Sequence, residues 1–337
     1  MSPTLSAPGK MVLAGEYAVR EGYTGVVAAV SRQSTARIQG EGAPRVEVAG
    51  AKEADLIYQD AWKTTDDDPI FALVNSALGL WKTKAEPWQG TLTLDSRSLS
   101  LHVGDLGHKL GLGSSATIAA LLASVLHPFD SPAPHEIHEQ AQTIHHAFSG
   151  GSGSGVDVSA ACFGGILFFQ RTADGVRTQE APNIPTSLRI IPVYCGYSVS
   201  TRTFLKAVDQ LKANSKSTYD GLMSSIDEGT RQFREGLLAG DTVELLDSVR
   251  SMQKAMAALG QAAHIDIVSD PHRQLDRVAA SFGGAAKPSG AGGGDIGLVF
   301  IPESQENECR RALRDTGLVP LEIELGSPGL TQHRSAL

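Results

Sequence analysis

Hydrophobic and polar positions along the 337-residue chain change their spacing several times, and each change predicts a different element. In the first third, apolar residues run together or alternate. "KMVLAGEYAV" (10–19) and "GVVAAVSRQSTARIQ" (25–39) are rich in Val and Ala, and "RVEVAG" (45–50) alternates, as strands do. "TLTLDSRSLSLHV" (91–103) alternates more strictly and predicts a half-buried strand pair. Over 68–80 apolar residues recur at helical spacing, and from Ser114 onward the pattern is helical. A further helix is predicted over 132–148, broken by "SGGSGSG". "VDVSAACFGG" reads as a short helix ending at glycines, and "GILFFQ" as a strand.

The segment "EAPNIPTS" (180–187) holds two prolines and no apolar period, which predicts a boundary between domains of residues 1–185 and 186–337. A buried strand, "LRIIPVYCGY", follows it. Helical patterns then cover 200–214, 216–238 and 241–263. The end reads helix (271–282), strand, glycine loop, strand (296–301), helix (304–316) and strand (318–325). Early strands and bunched later helices predict an α+β fold rather than a doubly wound parallel sheet.

The net charge of -8 argues against a nucleic-acid partner, which calls for a basic face. It leaves room for an anionic small molecule, because a few local cations override the net field. Cys162, Cys195 and Cys309 are few, odd in number and far apart, so neither a disulfide framework nor a zinc ribbon is expected. "MSPTLSAPGK" lacks the regions of a signal peptide, and no apolar run reaches the roughly 18–20 residues that span a bilayer. The expected setting is a reducing cytoplasm, with no membrane partner.

Four segments could carry chemistry. In "KLGLGSSATIAALLASVL" (109–126), Gly111, Gly113, Ser114, Ser115 and Ala116 form a glycine- and serine-rich turn ahead of a helix. Such a turn either caps the helix or holds an anion on its N-terminal N–H groups. Its G-x-G-x-x-A string also fits a dinucleotide fingerprint, but the acids that follow lie in a loop rather than at the end of a second strand. No Walker A string occurs. In "SGGSGSGVDVSAACFGG" (149–165), Asp157 opens a short helix behind glycines, where a carboxylate complements the helix dipole or faces a ligand. "KPSGAGGGDIGLVFI" (287–301) places five glycines in eight residues, which suits N–H groups curled round a phosphate. In "SAPGKMVLAGEYAVREG" (6–22), Lys10 follows a Pro-Gly turn, and by itself would read as a surface charge.

Taken in order, "APGK…GEYAV", "KLGLGSSA", "GSGSGVD" and "KPSGAGGGD" resemble the motifs of the GHMP kinase family over 7–301. Within it the likeness is to the phosphomevalonate kinase branch, through Tyr17 in "GEYAV", Lys109 ahead of the loop, Asp295 after the glycines and the serine- and threonine-rich segment ahead of a helix in "GYSVSTRTFLKAV". The resemblance implies a two-domain α+β architecture. Its amino domain would be like ribosomal protein S5 domain 2 and its carboxyl domain ferredoxin-like. ATP would lie in the cleft between them, and its γ-phosphate would pass to 5-phosphomevalonate as the small-molecule substrate. ATP and magnesium are the implied cofactors; the protein would be a monomer or homodimer.

By the same resemblance the Gly111–Ala116 turn holds the ATP phosphates, Ser115 helps hold magnesium, Lys10 neutralises the transferring group and Asp157 orients Lys10; Lys109, beside the nucleotide turn, ranks with Arg202 as a cation for the substrate's own phosphate. A phosphomonoester acceptor has a second pKa of about 6, so it needs little help from Asp157 as a base. Substrate contacts are expected from Glu16, Tyr17, Ser152, Ser154, Ser200, Thr201, Arg202, Lys287 and the Ser289, Gly290, Ala291, Gly292 and Gly293 turn. Lys212 is a further cation for the substrate phosphate. The sequence departs from the family where mevalonate kinases carry a metal-binding glutamate about 11 residues before the aspartate: "QTIHHAFSGG" has His145 and His146 and no acid. These, with His135 and His138 on the same predicted helix, read as structural, since no Cys or acid cluster accompanies them. The alternatives left open are mevalonate kinase or another small-molecule kinase of the family, a non-catalytic metabolite sensor on the same fold, and an NAD(P) protein.

Overall fold

The protein is described by a computed structural model covering residues 3–103, 106–127, 132–151, 153–196 and 200–333. The Val- and Ala-rich runs form two long antiparallel strands, β1 (Thr4–Ala14) and β2 (Thr24–Gln39). Around them stand β3 (Arg45–Val48), β4 (Glu53–Tyr58), β5 (Trp62–Thr64), β6 (Thr91–Asp95), β9 (Ile166–Thr172) and β10 (Gly175–Glu180), with a separate hairpin of β7 (Ser100–Val103) and β8 (Leu106–Lys109). The main sheet runs β10-β9-β2-β6-β3-β4-β5, and β1 lies along the other edge of β2. All its pairs are antiparallel except β3 with β6. Helices α1 (Ala72–Leu78), α2 (Ser114–Val125), α3 (Pro134–Ser149) and α4 (Val156–Phe163) bury Ala119, Leu122, Ile144 and Ala161 against Leu92, Leu94 and Ala36 of this sheet.

The second half follows a β-α-β-β-α-β succession. Strand β11 (Leu188–Tyr194) is followed by α5 (Thr201–Asn214), α6 (Lys216–Ala239), α7 (Thr242–Ala262) and α8 (Asp270–Ser281). Then come β12 (Ala285–Pro288), β13 (Ile296–Pro302), α9 (Glu306–Asp315) and β14 (Val319–Pro320). The sheet order is β12-β13-β11-β14, all antiparallel. The amphipathic periods of α5–α8 and α9 are therefore realised within a residue or two of the expected bounds. The chain is a mixed α and β protein with one sheet-containing domain towards each end, as in the two-domain GHMP kinase architecture.

The two domains share apolar surface. Met11, Leu13, Val26 and Val30 of the first sheet pack in one cluster with Phe233, Val249, Leu298 and Phe300 of the second domain. Each such side chain contributes about 1.5–3 kcal/mol when fully buried, so this cluster holds β1, and with it Lys10, in a fixed relation to the second domain. The chain then returns: β15 (Thr331–His333) pairs with the start of β1, in the first sheet.

Three sequence expectations change. The 91–103 strand pair does not form. Asp95 accepts from the Arg97 N–H and guanidinium, which turns the chain, so β6 pairs with β2 and β3 while β7 pairs with β8. The strand through 10–19 stops at Ala14, because Gly15 (φ 90°) and Tyr17 (φ 63°) turn it into a short 3-10 segment, Ala18–Glu21. The alternation over 318–325 is real in burial, with Leu321 and Ile323 inside. Only Val319–Pro320 pairs as a strand, and the rest runs between the sheets through isolated bonds such as Leu321 N–H to Pro192 O, 2.8 Å. Cys162, Cys195 and Cys309 are free buried thiols. Among the described residues no helix is long and apolar enough to cross a membrane.

Candidate active site

The loop between β8 and α2 is shaped by two glycines. Gly111 (φ 65°) and Gly113 (φ 83°) occupy the left-handed region, which other residues enter at a cost. Gly113 is the N-cap of α2 and has no side chain to satisfy the first-turn N–H groups. An uncapped helix start of this kind suits an anion. The first turn is held down from beneath: Thr117 Oγ1 donates to Ser114 O at 2.8 Å and lies 2.6 Å from Ser34 Oγ of β2.

Strand β1 presents Lys10 to this loop. Its register with β2 shifts between Pro8 and Lys10. Gly9 lets the backbones close up, since a Cβ there would stand 2.9 Å from Leu112 O. The Lys10 N–H donates to Leu112 O at 2.9 Å, and its ammonium to Gly111 O at 2.8 Å. Burial pushes the ammonium below its ordinary pKa, and the carboxylates of Asp157, Asp295 and Glu16 pull it back up.

Asp157 arrives from α4, whose N-cap Gly155 (φ 81°) is clamped by Gln142 Nε2 donating to its carbonyl at 2.8 Å. Asp157 Oδ1 accepts from the Val158 N–H at 3.1 Å, the usual place for an acid on a helix start. Gly113 lies between the two expected catalytic groups: a Cβ on it would be 3.4 Å from Asp157 Cβ and 3.5 Å from Lys10 Cγ. Lys10 is thus held by the loop backbone, and Asp157 acts on it through its field. Ser115 Oγ lies 3.1 Å from His145 Nε2, which is 4.0 Å from Asp157 Oδ2. Oxygen donors from Ser115 and Asp157 are compatible with a hard divalent cation, and the glycine turn is compatible with a polyphosphate.

The third glycine loop is held inward. Lys287 is 1% exposed and its ammonium is ion-paired with Glu16, itself 3% exposed; it also donates to Pro288 O at 3.0 Å. Burial pushes the Lys287 ammonium down, and Glu16 offsets that. Tyr17 Oη donates to Ala291 O at 2.6 Å, the Ser289 hydroxyl bonds Val12, and the Gly293 N–H donates to Ile267 O at 2.9 Å. Gly290 and Gly292 have φ near 80°, and a Cβ on Gly292 would stand 2.4 Å from Ile267 O. Lys287 and Glu16 therefore neutralise one another rather than facing a ligand.

The remaining sites are more peripheral. Lys109 is exposed at the end of β8, and Thr201 and Arg202 are exposed in the first turn of α5, which Ser200 caps. Ser154 Oγ accepts from the Val156 N–H at 3.4 Å. Lys212 is engaged by Glu21 at 2.7 Å. Ser152 lies outside the described residues. A cavity of about 390 Å³ adjoins the site, lined by His145, Ser154, Gly155 and Arg171; another of about 910 Å³, lined by His135, His138 and Arg234, lies away from the glycine loops. Sequence reasoning missed two residues here. Asp295 brings its Oδ2 to 3.0 Å from where Gly111 would carry a Cβ, joining the third glycine loop to the first. His145 joins Ser115 to Asp157, and its signal in the sequence was the missing acid.

Residues 80–165 match the family described as GHMP kinases N terminal domain. A phosphomevalonate kinase from Streptomyces sp. (strain CL190) is 24% identical, covering 96% of this chain and 97% of its own. A mevalonate kinase from Thermococcus sibiricus is 26% identical, covering 96% of each. The crystallised Streptococcus pneumoniae phosphomevalonate kinase, in complex with phosphomevalonate and AMPPNP, superposes with a TM-score of 0.79 at 18% identity, over 96% of this chain and 99% of that one. Residues 80–165 therefore match a GHMP kinase N-terminal domain, and the chain has homologues among both phosphomevalonate kinases and mevalonate kinases.

Proposed function

We propose that this protein is an ATP-dependent kinase that converts 5-phosphomevalonate to 5-diphosphomevalonate. The observation that carries the reading is the convergence on one point of the uncapped α2 start, Lys10 and Asp157. In the reaction, an oxygen of the acceptor phosphate forms a bond to the γ-phosphorus, and the bond from that phosphorus to the β,γ-bridging oxygen breaks, releasing ADP. Such a transfer depends on positioning and charge neutralisation. The α2 start and the Gly111–Ser115 turn bind and orient the polyphosphate. Lys10, fixed by Gly111 O, places one positive charge beside the transferring group. Asp157 maintains that charge and holds the acceptor. Magnesium, when bound through Ser115, supplies further neutralisation of the phosphates. Lys109 and Arg202 are the cations proposed for the acceptor's own phosphate.

A second reading, mevalonate kinase, is favoured by the Thermococcus sibiricus relative. ADP release with ATP and magnesium, offering phosphomevalonate and mevalonate in parallel, separates the two. Turnover of phosphomevalonate alone is expected. Turnover of mevalonate alone would overturn the reading and return Asp157 to the role of base. In the proposed reaction Asp157→Asn lowers kcat and leaves the acidic limb of the pH profile as in the wild type, while the basic limb moves to lower pH because Lys10 loses the carboxylate that raises its pKa; loss of the acidic limb would contradict the assignment.

A further inference from the structure

His145 is a buried histidine whose polar neighbours, Ser115 and Asp157, both belong to the candidate catalytic cluster. Four histidines lie on α3, and His138 has an ordinary structural role: its Nε2 lies 2.9 Å from Ser159 Oγ and 3.1 Å from Gln142 Nε2, all in the interior. His145 is as deeply placed, at 8% exposure, yet its Nε2 points at the candidate catalytic cluster. It lies 3.1 Å from Ser115 Oγ and 4.0 Å from Asp157 Oδ2.

These separations have a specific meaning. Around an octahedral ion with ligands at about 2.1 Å, adjacent donor atoms are about 3.0 Å apart and opposite ones about 4.2 Å. Ser115 Oγ and His145 Nε2 have the spacing of adjacent ligands, and Asp157 Oδ2 falls between the two spacings. Among the described residues no three His, Cys, Asp or Glu side chains converge to hold a metal. The protein thus offers one nitrogen, one hydroxyl and one carboxylate here, and phosphate oxygens would have to complete the shell.

We propose that His145 donates its Nε2 lone pair to the divalent ion of this site, beside Ser115, giving a mixed nitrogen–oxygen ligand set. The inference rests on the kinase reading above and deepens it. A nitrogen donor shifts preference away from magnesium towards later divalent metals, for which imidazole is a good ligand. His145 therefore restores, with different chemistry, the donor that an acid would supply.

The test uses the whole protein with Mn2+ and inorganic tripolyphosphate, which contains no nitrogen. Pulsed electron paramagnetic resonance should show nitrogen coupled to the bound Mn2+, and the pattern should change from 14N to 15N when histidine alone is isotopically labelled. His145→Glu should retain bound Mn2+ and lose the coupling, while His145→Ala should also weaken Mn2+ binding about tenfold or more. Bound Mn2+ with no histidine coupling in the wild type would overturn the proposal and leave the kinase reading standing. Failure of the Mn2+–tripolyphosphate complex to bind at all would overturn both. The wild-type labelling comparison decides the matter even if a variant fails to fold.

Discussion

Two loops of this protein look alike as strings of letters and differ as objects. The Gly111–Ser115 turn is open: its glycines bend the chain so that an uncapped helix start and Lys10 face the same space. The Ser289–Asp295 loop is closed on itself and on β1: Tyr17, Val12 and Ile267 take its polar groups, and a buried ion pair lies at its root. Glycine thus serves close approach in both, of the Lys10 and Asp157 side chains in one and of another part of the backbone in the other. A glycine run says that something comes near, and the surroundings say what.

The sharpest way to break this comparison is at the root of the closed loop. Lys287→Ala leaves Glu16 charged and buried and should cost about 3–5 kcal/mol of stability, roughly 10 °C in melting temperature. Replacing both partners by apolar residues, Lys287→Met with Glu16→Leu, should recover most of that loss. A single variant that melts within 2 °C of the wild type, a span of about 1 kcal/mol or less, would mean the pair is not holding the loop. At the open loop, Lys10→Ala should leave the melting temperature nearly unchanged and lower kcat by about 10²–10³-fold. The same lysine sets a pH dependence. Its burial lowers the ammonium pKa below 10.5, so kcat/KM should fall as pH rises through that lowered value, where the charge is lost. Lys10→Arg should abolish this basic limb, whatever its residual rate.

Smaller effects sharpen the contrast. Gly292→Ala, with its φ of 76° and the Ile267 carbonyl in the way, should destabilise by about 1–3 kcal/mol. Gly111→Ala shares the cost of a positive φ (65°) but meets the Asp295 side chain at 3.0 Å rather than a backbone carbonyl, so it should destabilise less than Gly292→Ala and also raise the KM for ATP. Equal losses of stability in the two variants would erase the distinction between the loops. Tyr17→Phe removes one hydrogen bond to Ala291 O and should cost about 1 kcal/mol, measurable by denaturant titration.

Much of this was legible in the sequence, for identifiable reasons. Helices α5 to α8 repeat their apolar faces over many turns, and β2 opens with an unbroken Val and Ala run, Val26–Val30. The Lys10, Gly111–Ser115 and Asp157 constellation was legible through its motifs, although no local pattern says that a strand, a helix start and a second helix start meet. Tyr17 was not legible as a turn, because a tyrosine at positive φ is held there by its bond to a residue 274 positions away. Lys287 read as a free cation for the same reason: its partner, Glu16, is distant in sequence. His138 and His145 are seven residues apart and share a helix face. Which of them reaches the glycine turn depends on where α4 sits, and helical period does not encode that.

The return of the chain to its own beginning has a consequence for synthesis. Ser6 of the lysine-bearing strand hydrogen-bonds Thr331, 325 residues later. While the polypeptide is being made, that strand can pair with β2 within moments, yet its other edge waits until residues 331–333 have been made. A ribosome stalled late would display an uncovered strand edge, the kind of surface that chaperones bind and aggregates recruit.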